Sequence, residues 1–403
     1  MNTVGLLAKV RKAGAASVRL PLQVVRRLQL ERSLQKRVAS ANQLMSVTDL
    51  RTKTLDYLDS MKITEGTVGR YRYTSSQHEP VLYASVYAAL TRHLYDDLNK
   101  LTDEERAEWA DYICSFQCDD GLFRDSAVAN EIAEIEDWWG WRHMTLHVTM
   151  ALSALGAVVR FPFGFLEPFQ DPGFLTSWLK SRDWDQRPDF VSNEVQNIGA
   201  LLQYSRDFHH NELAGPAVDC LLEWLDSTQN PETGLWGGSC DTPELLSRGV
   251  QTGYHLWLLF FYDDRRVRHV QRIIDNLLAT QNKLGGFGVV PNSSACEDID
   301  SIDPLARLSL MADYRRQEIQ AALQKSFRWV LANVNEDGGF VFRRDQSFVY
   351  GHENMSSGVN ESAMFPTWFR ALSLAYISQA LDLPGWPADA WHWVRCPGYQ
   401  FWK

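Results

Sequence analysis

The sequence predicts an all-α protein, an (α/α)6 toroid: a double ring of six helical hairpins with a basic N-terminal helical extension. Three observations predict it. Amphipathic helical stretches alternate with stretches that are apolar on most sides. A turn carrying glycine and then an aromatic residue recurs at the hairpin bends. The unit repeats through most of the chain after residue 45, the mark of a repeat architecture.

The first helices of the hairpins are expected over 48–61, 103–117, 172–182, 214–229, 265–281 and 316–333. They are amphipathic; Ala217, Val218, Leu221, Leu222 and Leu225 form one apolar stripe at helical spacing. The second helices are expected to begin near Glu79, Trp141, Glu194, Arg248, Pro304 and Ala363. Stretches such as Tyr254–Phe261 and Thr145–Val159 are apolar on most sides, so these helices belong inside. A cavity would then be lined by whatever stands at the inner helix starts.

The turns run from Gln117 to Phe123, Gln229 to Trp236, Gln281 to Phe287 and Val334 to Phe340. Their glycines suit a left-handed helix end. The Gln before the glycine can satisfy free carbonyls there. A weaker copy lies near Lys62 to Gly66, and the copy after Trp178 and Leu179 lacks the glycine.

Composition narrows the function. The chain has 403 residues, is 45% hydrophobic and carries a net charge of −10. It can bury a large core, and its acidity argues against bulk nucleic-acid binding. Six scattered cysteines without a CxxC pair suggest reduced thiols in the cytoplasm. No apolar run is long enough to span a membrane, and the start does not read as a secretory signal. The first forty residues hold nine Lys and Arg against Glu31 alone, a net of +8, which leaves −18 on the rest. Leucines and valines are interleaved there. Residues 1–45 thus read as a basic extension that can lie on an anionic membrane surface or pack on the acidic body, and 46–403 as the toroid.

The chemistry concentrates in Gly285–Arg307. A Gly-Gly-Phe-Gly turn and a polar loop lead to four carboxylates, Glu297, Asp298, Asp300 and Asp303, before Pro304 opens a helix. Crowded carboxylates raise one another's pKa, so one can stay protonated near neutral pH. Asp303 before Pro304 reads first as an N-cap and second as a substrate contact. Glu297 can favour the helix start. Asp298 and Asp300 have no obvious structural task. The other inner helix starts are polar and offer further substrate contacts: Arg142, His143, Glu194, Asn197, Arg248, His255 and Glu361. His143 and His147 share a helix face, but no HExxH pattern accompanies them. Neither metal nor cofactor is expected, and no phosphate-binding loop or dinucleotide fingerprint is present.

Helix, Gln, glycine and aromatic repeats on paired helices resemble the QW repeats of the terpenoid cyclase and protein prenyltransferase superfamily. The resemblance covers most of residues 48–380. Its prenyltransferase branch holds zinc by Asp, Cys and His. Here Cys296 and Asp298 stand in the reverse order, and the stretch from Glu361 to Ser373 has no histidine. Its class II cyclase branch, nearest the squalene-hopene cyclases, uses an Asp-x-Asp-Asp acid motif after a Gly-Gly-aromatic turn. Asp298-Ile299-Asp300-Ser301 stands in that setting, with Ser301 departing from the pattern. The resemblance implies protonation-initiated cyclisation of an isoprenoid, with Asp300 as donor and Asp298 and Glu297 tuning it. Two alternatives stay open. One is a carbohydrate-active toroid that pairs Asp300 with Glu194 or Glu361. The other is a non-catalytic toroid binding a lipid or a partner protein.

Overall fold

The computed structural model describes residues 22–41, 45–135 and 138–402. Helix α1 (Leu22–Ser40) precedes the rings. The outer helices are α2 (Val47–Met61), α4 (Asp103–Cys114), α7 (Pro172–Ser181), α9 (Ala214–Thr228), α11 (Val270–Ala279) and α13 (Arg316–Leu331). Their inner partners are α3 (Leu82–Leu94), α6 (Trp141–Ala154), α8 (Pro188–Phe208), α10 (Pro243–Tyr262), α12 (Ala295–Met311) and α14 (Met364–Ala380). A short helix α5 (Glu131–Ile135) lies between α4 and α6. The inner helices pack in sequence order, and α14 packs back on α3, which closes the ring. The fold is therefore all-α, built as the double ring. Burial follows the expected division: the inner α14 is buried from Met364 through Ser378, whereas α11 buries Ile273, Ile274 and Leu277 on one stripe.

The repeated turns join neighbouring hairpins. Gln117 donates to the carbonyls of Gly121 and of Phe161 in the next unit. Gln281 does the same for Gly285 and for Ala322 of α13. Gly285 has φ +100°, and a Cβ there would meet the Lys325 carbonyl oxygen at 2.4 Å. Gly338 has φ +86°, and its Cβ would meet the Lys53 oxygen of α2 at 2.2 Å. The last turn thus docks on the first hairpin, where Thr54 Oγ1 donates to the Gly338 carbonyl at 2.9 Å.

Three inner helices start earlier than expected. Proline at the first helical position sets two of them, Pro188 in α8 and Pro243 in α10. The third is α12. Ser294 caps it and exchanges bonds with Glu297 in a capping box, so Pro304 is interior rather than first. Asp303 is therefore no N-cap. The outer α11 starts later than expected, at Val270, after His269 in a left-handed conformation. One short hairpin of strands, β1 (Phe348–Tyr350) and β2 (His352–Ser357), interrupts the helices.

Of the basic extension, residues 1–21 lie outside the described residues. Helix α1 rests on the toroid through Leu30, Leu34 and Val38 against Leu284 and Trp329. Its Glu31 pairs with Lys283 at 2.5 Å. Arg26, Arg27, Arg32, Lys36 and Arg37 remain exposed. No described helix is long and apolar enough to cross a membrane.

Opposite the inner helix starts, residues 391–402 cross the far end of the ring. Gln400 bridges Trp368 Nε1 and the Leu90 carbonyl, and Arg307 donates to the Phe401 carbonyl at 2.6 Å. Tyr399 reaches inward, its hydroxyl 2.9 Å from Gln196 Oε1.

Gly338→Ala is expected to lower the thermal midpoint more than Gly156→Ala. Both force a side chain into a left-handed conformation, which costs about 1–2 kcal/mol. Gly156 has φ +77° and open space around it, while at Gly338 the methyl also strikes the ring-closing contact. Equal losses in thermal unfolding would show that the Gly338 contact does not restrain the ring.

Candidate active site

The N-terminal halves of the inner helices, with β1 above them, enclose a cavity of about 240 Å³. Much of its wall is aromatic. Tyr350 stacks on Phe365 with centroids 4.3 Å apart, Phe365 meets Phe369 at 4.5 Å, and Phe342 stacks on Phe348. Trp138 and Phe190 stand together on the opposite side, and Tyr399 comes from the far end of the ring. The polar groups in the wall are His143, Asp189, Asn193, Gln251, His255 and Asp300.

The two central aspartates of α12 have opposite surroundings. Asp298 is fully buried and saturated with donors. Phe287 N lies at 2.9 Å, Ser293 Oγ at 2.7 Å, Trp329 Nε1 at 2.7 Å and Arg370 Nη1 at 2.8 Å. Arg370 is itself fully buried on α14 and also donates to the carbonyls of Val341 and Phe342. Burial raises the Asp298 carboxyl, and Arg370 with the three other donors opposes the rise. Such a pair holds because every partner is present.

Asp300 is 4% exposed and faces the cavity. Its carboxyl makes no hydrogen bond or ion pair to any described residue. Burial pushes its carboxyl well above the usual carboxylate range, and Glu297, Asp298 and Asp303 push it further. A neutral acid is left, aimed at an aromatic cavity. Pro304 has no N–H to give the Asp300 carbonyl one turn back.

Asp303 lies one turn deeper, away from the cavity wall. Its carboxylate pairs with Arg307 at 2.6 Å and receives the Tyr254 hydroxyl at 3.4 Å. Burial raises it to about 6, against the pull of Arg307. Arg307 in turn lies over the rings of Phe261, Tyr376, Phe401 and Trp402. Asp303 thus anchors the far end of the ring.

Of the remaining expected contacts, His143 and His255 line the cavity. Both are held neutral by burial; His255 is lowered to about 3, and burial, then His147 and His255 beside it, push His143 well below its usual value. The others stand off the wall. Glu297 caps α12 and pairs with Arg343 at 2.7 Å. Glu194 faces Arg182 at 3.4 Å. Arg248 lies at the rim, 3.8 Å from Asp189. Arg142 covers Phe169 at 5.5 Å. Asn197 is buried one turn below Asn193. Glu361 is bound into a turn by Ser75, Ser76 and the Gly358 amide, because the chain before α14 folds back there. Glu194 and Glu361 therefore do not share the cavity with Asp300; Asp189 does. Among the described residues, no group of three or more His, Cys, Asp or Glu could hold a metal ion.

No protein-family model matches the chain, and no curated protein does. Solved structures with a related course include a type II terpene cyclase from Scytonema bound to geranylgeranyl dihydroxybenzoate. It is 11% identical with a TM-score of 0.48, over 87% of this chain and 100% of the other. A polysaccharide lyase is 12% identical with a TM-score of 0.46, over 85% and 96%. A GH76A α-1,6-mannanase from Salegentibacter is 11% identical with a TM-score of 0.45, over 82% and 98%.

The two aspartates are expected to separate in stability. Asp298→Asn leaves the Arg370 guanidinium buried without a counter-charge, at a cost of about 3–5 kcal/mol in denaturant unfolding. Asp300→Asn is expected to stabilise, increasingly as pH rises. The Asp300 carboxyl is raised on folding, so below an unfolded value near 4 it is neutral in both states. Above that the wild type loses about 1.4 kcal/mol per pH unit until the folded group titrates, and the amide does not. A stability difference that stays flat between pH 4 and 8 would contradict the assignment.

Proposed function

We propose that this protein catalyses the protonation-initiated cyclisation of an isoprenoid in the aromatic cavity. Asp300 carries the reading. It is a buried carboxylic acid whose side chain has no hydrogen-bond partner among the described residues, held neutral by burial and by three neighbouring carboxylates, and it opens on aromatic rings. Protonating an alkene or an epoxide needs such an acid. The proton of Asp300 adds to one carbon, the π pair becomes the new C–H bond, and a tertiary cation remains. A second double bond then attacks it and closes a ring. The faces of Phe365, Phe369 and Tyr350 offer negative quadrupoles to the migrating charge. The aromatic part of the wall limits the water that could quench it.

The supporting residues act at a distance. Asp298 and Arg370 fix the turn before Asp300 and hold Phe342 in the wall. Glu297 contributes charge and the helix cap. Ser301 stands where the class II motif has a further aspartate, so Asp303 supplies the third like charge from below.

A second reading rests on Asp189, a carboxylate in the same wall as Asp300 beside the ring of Trp138. Two carboxylates and a tryptophan platform also suit glycosidic chemistry.

Asp300→Asn is expected to fold and to lose at least a factor of about 10² to 10⁴ in turnover of linear isoprenoids, offered with and without diphosphate. Asp189→Asn is expected to retain most of that turnover. Full activity in Asp300→Asn would remove it as the donor. Turnover of an oligosaccharide but of no isoprenoid, lost in both variants, would establish the second reading.

For the basic extension we propose contact with an anionic membrane surface. Replacing Arg26, Arg27, Arg32 and Lys36 by Gln is expected to weaken binding to anionic vesicles about fivefold per residue, since each contributes about 1 kcal/mol. Vesicle flotation unchanged by the four substitutions and by salt would exclude that role.

A further inference from the structure

A cyclisation that begins with a proton must also lose one, and the hydrogen bonds around two cavity histidines show where it can go. His255 of α10 and His143 of α6 both line the wall that holds Asp300. Ser192 Oγ lies 3.0 Å from the Asp189 carbonyl and 3.0 Å from His255 Nδ1. A hydroxyl has one proton, and a carbonyl only accepts. With the Ser192 proton on the carbonyl, Nδ1 of His255 is the donor in the second bond. His255 is then the Nδ1–H tautomer, and its Nε2 keeps a bare lone pair.

Tyr83 treats His143 in the same way. Its hydroxyl lies 2.8 Å from the Trp139 carbonyl and 2.7 Å from His143 Nδ1. There the resemblance between the two histidines ends. Nε2 of His143 faces the Tyr350 hydroxyl at 3.4 Å. Nε2 of His255 has no hydrogen-bond partner among the described residues. His255 is also the more exposed of the two to the cavity.

We propose that His255 Nε2 is the base that ends the reaction, an inference that rests on the cyclisation reading of the cavity. The C–H bond beside the final cation breaks, its electron pair becomes the new double bond, and the proton moves to Nε2. The proton count then closes. Asp300 has become a carboxylate and His255 an imidazolium, both disfavoured in this buried site. Return of one proton from imidazolium to carboxylate restores both groups. The net reaction is an isomerisation with no proton taken from solvent. Ser192 is the positioning residue, because its hydroxyl fixes the tautomer.

Three measurements test the assignment. Nitrogen-15 NMR of the wild type is expected to show His255 with a pyridine-like Nε2 and a protonated Nδ1; the reverse tautomer overturns the proposal without any substrate. His255→Phe keeps a ring of similar size and is expected to consume isoprenoid within about tenfold of the wild-type rate. Its alkene product should fall at least tenfold, in favour of alcohols from water capture or alkenes from loss of another proton. Ser192→Ala is expected to fold like the wild type and to give a mixture of old and new products. The wild-type product at the wild-type rate from His255→Phe would sink His255 as the base while leaving Asp300 in place. A wild type that converts no isoprenoid would sink the cyclisation reading and this one with it.

Discussion

The Asp298–Arg370 ion pair is the constraint on which the site depends. Both groups are fully buried, so neither tolerates loss of the other. Asp298 takes donors from the turn at Phe287, from the loop at Ser293 and from Trp329 on α13. Arg370 reaches from α14 to the carbonyls of Val341 and Phe342. One pair thus ties two outer turns, two inner helices and one outer helix into a rigid corner. Asp300 stands two residues beyond it on the same helix. Its direction is inherited from that corner, since it has no bond of its own among the described residues.

Charge is graded along α12 by what each carboxylate touches. Glu297 keeps a partial exposure to solvent and is paired with Arg343. Asp298 is satisfied by four donors, and Asp303 by Arg307. Among the described residues Asp300 alone of these four meets no cation, and it bears the field of the other three. Four acids in seven positions therefore yield one that keeps its proton. The same low dielectric holds His143 and His255 neutral in the wall they share with Asp300, so neither imidazole draws off its proton.

The ring was legible in the sequence because its signals are local. Helical periodicity and the glycine turns each span only a few residues, and the Gln side chains bond where their position before the glycine suggests. The start of α12 was legible too, in Ser294-Ala-Cys-Glu297, yet Pro304 drew the helix start nine residues too late. Likewise Pro188 marks the start of α8, which brings Asp189 to the cavity. Arg370 and Trp329 carried no such mark. They reach Asp298 across 72 and 31 residues, and only the closed ring sets them against it. Tyr350 on β1 and Tyr399 beyond the last helix come to the wall by the same long-range route.

Closure has a cost in time as well as in geometry. Thr54 and Gly338 touch across 284 residues, so shutting the seam before the hairpins between them form would close a very long loop at an entropy cost. Until the seam shuts the chain is an open arc, with the apolar flanks of α3 and α14 bare to solvent. Contacts of such sequence separation fold slowly, because loop entropy is lost before they return anything. The arc is thus the aggregation-prone species. Assembly should end in one abrupt step, with the cavity appearing when the seam shuts.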